Sequence, residues 1–258
     1  LIKMQVIVDN WRQTPPVTRS IFLVTLALSL GVTLEVFTPL KLYFNWKLIW
    51  NKGEYWRLIS CLFFKGGLTP HTIFDFYICF RYMYSLETSA FRGKPADFIT
   101  FVFLGCSFFL IAAFTLGLQN MSGAISAMML YFWARKNPNI EMSFLDIFHF
   151  RSCFLPYFLF LMIMLSGYDT MLDLLGMVAG HTYYFCEEVV PRIPQTRSLR
   201  LLKAPAWLTA ICQFFRLHQF AAADGQAAAG GGGGGGGFFG GGGFWGEDDP
   251  RAEELEQQ

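Results

Sequence analysis

The run GMVAGHTYYF, residues 176–185, sets one imidazole in an apolar stretch, behind two glycines four positions apart. An imidazole there has two uses. As a general base, His181 would need a hydroxyl within hydrogen-bond reach and donors placed for a developing oxyanion. As a packing residue it would need only a partner on a neighbouring helix. The glycines speak for packing, because Gly176 and Gly180 share one helix face and their missing side chains let a second helix approach closely.

The elements that position His181 belong in a bilayer. A chain of 258 residues with 53% hydrophobic, 18% aromatic and only 15% charged residues is hard to fold as a soluble domain. A net charge of +1, with cations scattered among apolar runs, excludes a nucleic-acid-binding surface. Six cysteines lack metal-ligand spacing and read as buried thiols, and no cofactor or metal motif is present.

Hydropathy predicts six spans: Ser20 to Phe37, Ile73 to Phe91, two within the uncharged run Phe98 to Ala134 (broken at Gly117 to Gly123), Cys153 to Ser166, and Thr170 to Cys186. Span two carries Asp75, Arg81 and Glu87, which suits a protein-facing or water-accessible surface. Lys and Arg cluster before span one, near Arg81, near Arg135 and after span six, so the positive-inside rule puts both termini in the cytosol. The first loop is the exception, with Lys41, Lys47, Lys52, Arg57 and Lys65 on the far side. Its sequence KLYFNWKLIWNKGEYWRLIS interleaves aromatic rings with cations and is expected to lie structured in the membrane interface.

Within that loop Glu54-Tyr55-Trp56-Arg57 matches the Trp-Arg motif of the rhomboid superfamily. The opening MQVIVDNWRQTPPVTRS, the segment SLETSAFRGKPADF and the stretch YFWARKNP narrow the likeness, and the chain resembles the derlins from about Met4 to Pro205. The resemblance implies an all-α polytopic membrane protein, a rhomboid-like six-transmembrane-helix bundle with a membrane-embedded first luminal loop. It also implies a multi-pass protein of the endoplasmic reticulum membrane, acting in endoplasmic-reticulum-associated degradation. There it would bind misfolded proteins and aid their retrotranslocation to the cytosol, beside a membrane ubiquitin ligase complex, as a homo- or hetero-oligomer. The short fourth and fifth spans would thin the bilayer locally.

Rhomboid proteases join a serine at the start of span four to a histidine in span six. Ser122 and His181 stand in those places, so the alternative is an active intramembrane rhomboid serine protease using them. Against it, the family's span-two His-x-x-x-Asn reads His71-Thr72-Ile73-Phe74-Asp75 here, and Asn120 replaces a motif glycine. A pseudoprotease is therefore expected, with His181 structural and Trp56 and Arg57 serving the first loop.

The expected organisation is a cytosolic N-terminus (1–19), a membrane domain (20–190), a basic and amphipathic cytosolic segment (191–220) and a disordered glycine-rich tail (221–258). The glycine run lacks the Lys and Ser/Thr of a phosphate loop. Phe244-Trp245-Gly246 resembles the short aromatic and glycine motif with which derlin tails recruit the valosin-containing-protein AAA ATPase, although Glu247-Asp248-Asp249 departs from its second glycine.

Overall fold

A computed structural model describes residues 14–144, 148–192, 202 and 204–214 and is mostly helical. The tail residues Phe244, Trp245 and Gly246 lie outside the described residues.

Local chemistry starts and stops most of the helices. Helix α1, Pro16–Thr33, opens on a proline whose fixed φ suits the first helical position. The short α2, Trp46–Lys52, is capped by Asn45, which accepts from the Leu48 N–H at 3.3 Å, and is stopped by left-handed Gly53 at φ 69°. Helix α3 is Arg57–Phe63. Helix α4, Pro70–Ser85, is capped by Thr69 and runs on into a π turn, Leu86–Ala90. Helix α5, Pro95–Leu116, ends at left-handed Gly117, and α6, Ser122–Lys136, follows one short loop later. Then come α7, Leu155–Leu165, α8, Met171–Tyr184, with its own π turn Phe185–Val189, and α9, Ala206–Phe214.

Several boundaries differ from those expected. Span one ends at Thr33 and not Phe37, because Glu35 takes a left-handed conformation (φ 58°) that no helix can continue through. Span two begins at Pro70, three residues before Ile73, since Thr69-Pro70 is a cap followed by a first-turn proline. The expectation of an all-α chain is corrected by a β-hairpin, β1 Glu141–Phe144 against β2 Phe148–Arg151, with Met142 opposite Phe150. Its strands are too short for an alternating pattern to stand out in the sequence. Met142 is buried in the main core, and the Phe150 ring packs on Phe158 of α7 at 5.1 Å.

Helix α6 is the axis of the fold, with twelve of its fifteen residues buried. An aromatic cluster of Phe91, Phe98, Phe101, Phe132 and Tyr183 joins the residue after the first π turn to α5, α6 and α8, with ring centroids as close as 4.5 Å between Phe101 and Tyr183. Helices α6 and α8 run side by side in the same direction, since Gly176 faces Ala124 and Ala127 while Gly180 faces Met128 and Tyr131. Lys136 at the end of α6 pairs with Glu188 in the turn after α8. Among the described residues, α1 and α5 are long and apolar enough to cross a membrane, and Ser152–Leu165 is a shorter apolar helical segment. Helix α9 leans on the start of α5, where Cys212, Ala204 and Ala96 are buried together and the Ala204 N–H donates to Asp97.

One contact ties the N-terminal helix to the rest. Helix α1 has no capping side chain of its own, and its orphan donors are taken by Glu87 from the π turn. Glu87 accepts from the Thr18 N–H at 2.8 Å, the Thr18 hydroxyl at 2.7 Å and the Val17 N–H at 3.2 Å. A carboxylate placed against a helix N-terminus is stabilised by the helix dipole as well as by the bonds.

Candidate functional site

The first loop is held by one face of α3. Arg57 Nη1 donates to the carbonyls of Leu40 and Tyr43 at 2.7 and 2.9 Å, and its Nε pairs with Glu54 at 2.6 Å. Trp56 Nε1 donates to the Lys41 carbonyl at 3.3 Å, and the Ser60 hydroxyl donates to that of Leu42 at 2.8 Å. Four consecutive carbonyls that no strand or helix uses are thus satisfied by three side chains. Sequence reasoning named Trp56 and Arg57 but missed Ser60, whose signal was its position one turn after Arg57. The loop is also stitched to the start of α6, because the Phe44 N–H donates to the Gln119 carbonyl and the Met121 N–H to that of Cys61, both at 2.8 Å.

Removal of the guanidinium in Arg57→Ala would leave two carbonyls and a carboxylate without their cation. We expect it to destabilise the chain by about 3 kcal/mol, with Arg57→Lys recovering less than half, because an ammonium cannot reproduce the guanidinium fork. Thermal unfolding of detergent-purified protein measures this, and a loss below about 0.5 kcal/mol would remove the clamp role.

Lys65, counted at first only as an exception in the charge pattern, is an internal residue. Its side chain is 3% exposed, and its Nζ donates to Asp75 Oδ2 and to Ser126 Oγ, each at 2.6 Å. Burial pushes the pKa of this ammonium down, but the groups around it, Asp75 first and Asp173 among them, together outweigh that and hold it above the ordinary lysine value. Two of the five cations in the first loop, Arg57 and Lys65, are therefore consumed inside the protein, whereas Lys41, Lys47 and Lys52 are exposed.

Beside this pair lies a cavity of about 500 Å³ between α4, α6, α7 and α8. Leu130, Leu159, Phe160 and Ile163 give it apolar walls, while Asp75, Ser126, Asp169 and Asp173 make one end polar. Phe74 on α4 and Met162 on α7, both lining it and both over a third exposed, mark its rim. The size suits a ligand or several side chains of a partner. His71 also lines it, stacked on Tyr168 with centroids 4.6 Å apart.

The candidate catalytic pair is not brought together. Ser122 is the first residue of α6, with its N–H turned to Asn120 Oδ1 at 3.1 Å. His181 lies beside the second half of that helix, where its Nδ1 and the Tyr131 hydroxyl are 2.9 Å apart and hydrogen-bonded. The same phenol oxygen accepts from Arg135 Nε at 3.0 Å, so its proton is available for the imidazole. Gly180 meets Met128 and Tyr131, six and nine residues along α6 from Ser122, which is roughly 9 to 13 Å at 1.5 Å per residue. A hydroxyl and its base need about 3 Å. The imidazole instead ends a chain of polar contacts, His181–Tyr131–Arg135–Tyr157, that links α8, α6 and α7.

Gly176 and Gly180 turn their bare faces to α6. A methyl group at Gly176 would fall well inside van der Waals contact of the Ala124 carbonyl oxygen and lie 2.6 Å from Ala127 Cβ; one at Gly180 would lie 3.0 Å from the Met128 carbonyl oxygen. The partner helix of this glycine face belongs to the same chain.

Apolar helices surround an almost fully buried central helix, with a loop clamped on one face, and among the described residues two of the helices are long and apolar enough to cross a membrane. The Der1-like family matches residues 14–206, and the chain belongs to it. The chain is 35% identical over 217 residues to Derlin-2.2 of Arabidopsis thaliana, covering 79% of this chain and 87% of that protein. It is 36% identical over 216 residues to Derlin-2.1 of Zea mays, covering 79% and 86%. It is 34% identical over 209 residues to the probable derlin-2 homolog of Dictyostelium discoideum, covering 78% and 81%. This is a derlin-family membrane protein.

Proposed function

We propose that the chain is a non-catalytic component of endoplasmic-reticulum-associated degradation, which binds misfolded proteins and aids their passage back to the cytosol through a locally thinned membrane. The observation that carries this reading is the cavity beside α7, rimmed by residues of α4 and α7. The apolar helical segment Ser152–Leu165, a 3-10 turn running into α7, extends only about 22 Å at about 2.0 and 1.5 Å per residue, short of a hydrocarbon core of about 30 Å. A helix that short must draw the bilayer inward or end inside it, and either lowers the barrier to polar chain near the cavity. In this reading six helices, α1 and α4 to α8, span the membrane of the endoplasmic reticulum with both termini cytosolic. A membrane ubiquitin ligase then receives the substrate, and an AAA ATPase of the valosin-containing-protein type pulls on it, recruited by Phe244, Trp245 and Gly246. The separation of Ser122 from His181 supports a pseudoprotease.

The test uses cells lacking their own derlins and expressing the full chain. Ile163→Trp, which fills the cavity from α7 without touching the α6–α8 seam, is expected to slow turnover of a misfolded membrane reporter at normal abundance. Ser122→Ala and His181→Ala are expected to leave turnover unchanged, with no reporter fragments in any strain. Normal turnover with Ile163→Trp would remove the cavity from the mechanism, and fragments that vanish with Ser122→Ala would establish the protease.

A further inference from the structure

The cavity is electrically lopsided. Three carboxylates line it, Asp75, Asp169 and Asp173, and only Asp75 has a cation within ion-pair distance among the described residues, namely Lys65. Asp169 accepts the Met171 N–H at 2.9 Å, a turn contact that leaves its charge in place. Asp173 stands in the first turn of α8, one residue after Leu172, whose side chain packs over Gly123 at the start of α6. The stretch of wall supplied by α7 is apolar, built from Leu159, Phe160 and Ile163.

An occupant must match both halves. A wholly apolar segment would fill the greasy wall and leave the half-buried Asp173 carboxylate facing low dielectric, which is unfavourable. A phospholipid brings a phosphate anion to the acidic end, and even a zwitterionic headgroup offers its ammonium only together with that anion. A soluble basic peptide has nothing for the apolar wall. A membrane-spanning segment with a single lysine or arginine supplies both, and such a residue in a span is itself a defect that finds relief only against a counter-charge.

We propose that this cavity selects misfolded transmembrane segments carrying a basic residue near the first-loop end of the span, and that Asp173, with Asp169 beside it, supplies the counter-charge. The inference rests on the cavity's role in the proposed function and adds the chemistry of what it accepts. Lys65 then has a positioning role. By neutralising Asp75 and bonding Ser126 it holds α4 against α6 and leaves Asp173 of α8, with Asp169 in the loop before it, as the carboxylates open to a ligand.

The test is site-specific photocrosslinking in microsomes with the full chain, the photoreactive benzoyl-phenylalanine replacing Phe160. The probes are single-pass reporters with a leucine and alanine span that carries Lys, Gln or Glu in the luminal third. The Lys reporter is expected to crosslink about fivefold more than the Glu reporter, with Gln between. Asp173→Asn should narrow the spread between the three reporters, Asp169→Asn combined with Asp173→Asn should bring them together, and Asp173→Lys combined with Asp169→Lys should reverse the order. Equal yields from the three reporters on the unsubstituted chain, or a Lys preference that survives the combined Asp169→Asn and Asp173→Asn change, would overturn the inference and leave the cavity reading standing. No crosslink to any reporter would overturn both. If the substituted chains fail to accumulate, the order of the three reporters on the unsubstituted chain still decides.

Discussion

Glu87→Ala is expected to detach α1 from the bundle and to lower stability by about 3 kcal/mol, more than any change on the exposed face of that helix. The carboxylate accepts three bonds from the first residues of α1, at Val17 and Thr18, and those donors have no capping side chain from their own segment. Bonds to a charged acceptor are worth about twice neutral ones, and loss of the acceptor strands buried donors. Glu87→Gln keeps an oxygen but loses the charge that the helix dipole favours, so about half the effect is expected. Thermal unfolding in detergent measures both, and protease sensitivity of the segment before α2 reports whether α1 is the part released. A Glu87→Ala protein that unfolds like the parent would mean the cap is not used.

The second large effect is at the α6–α8 seam, and it carries an order as well as a size. Gly176→Ala drives a methyl group into the Ala124 carbonyl and Ala127 Cβ, rigid parts of α6 that cannot turn aside, so the two helices must separate. Gly180→Ala meets the Met128 carbonyl at 3.0 Å and Tyr131 Cβ at 3.2 Å, where a few tenths of an ångström suffice. Overpacking costs about 1 to 3 kcal/mol, so we expect Gly176→Ala near the top of that range and Gly180→Ala near the bottom. Gly105→Ala is the control. Its methyl group meets only the end of the flexible Met128 side chain, and the cost should be the smallest of the three. An inverted order would show that the seam is not the rigid contact described.

These two predictions differ in how much of their basis the sequence carried. The glycines could be read directly, because four-residue spacing is a property of one helix and needs no knowledge of its neighbours. Helix starts and stops were equally local. Asn45 before α2, Thr69-Pro70 before α4 and Gly117 after α5 act within a turn of themselves, and the class of the protein followed from composition alone. The Trp56-Arg57 pair stood out for the same reason, as a short motif.

What the sequence could not specify was the partner of each polar group across the chain. Glu87 looked like a charge within span two, and only the fold brings it to Thr18, 69 residues away. Lys65 is in the sequence one more first-loop cation, and only the fold brings it to Ser126, 61 residues on. His181 and Ser122 have the right residue types in plausible places, but two helices packed in parallel by Gly176 and Gly180 set them two to three turns apart along α6, and Tyr131 takes the imidazole. Periodicity and capping are written within a few residues and survive without tertiary contacts. Hydrogen bonds between distant segments depend on how whole helices stack, and that register is set by the packing of a core in which no single residue announces its neighbour.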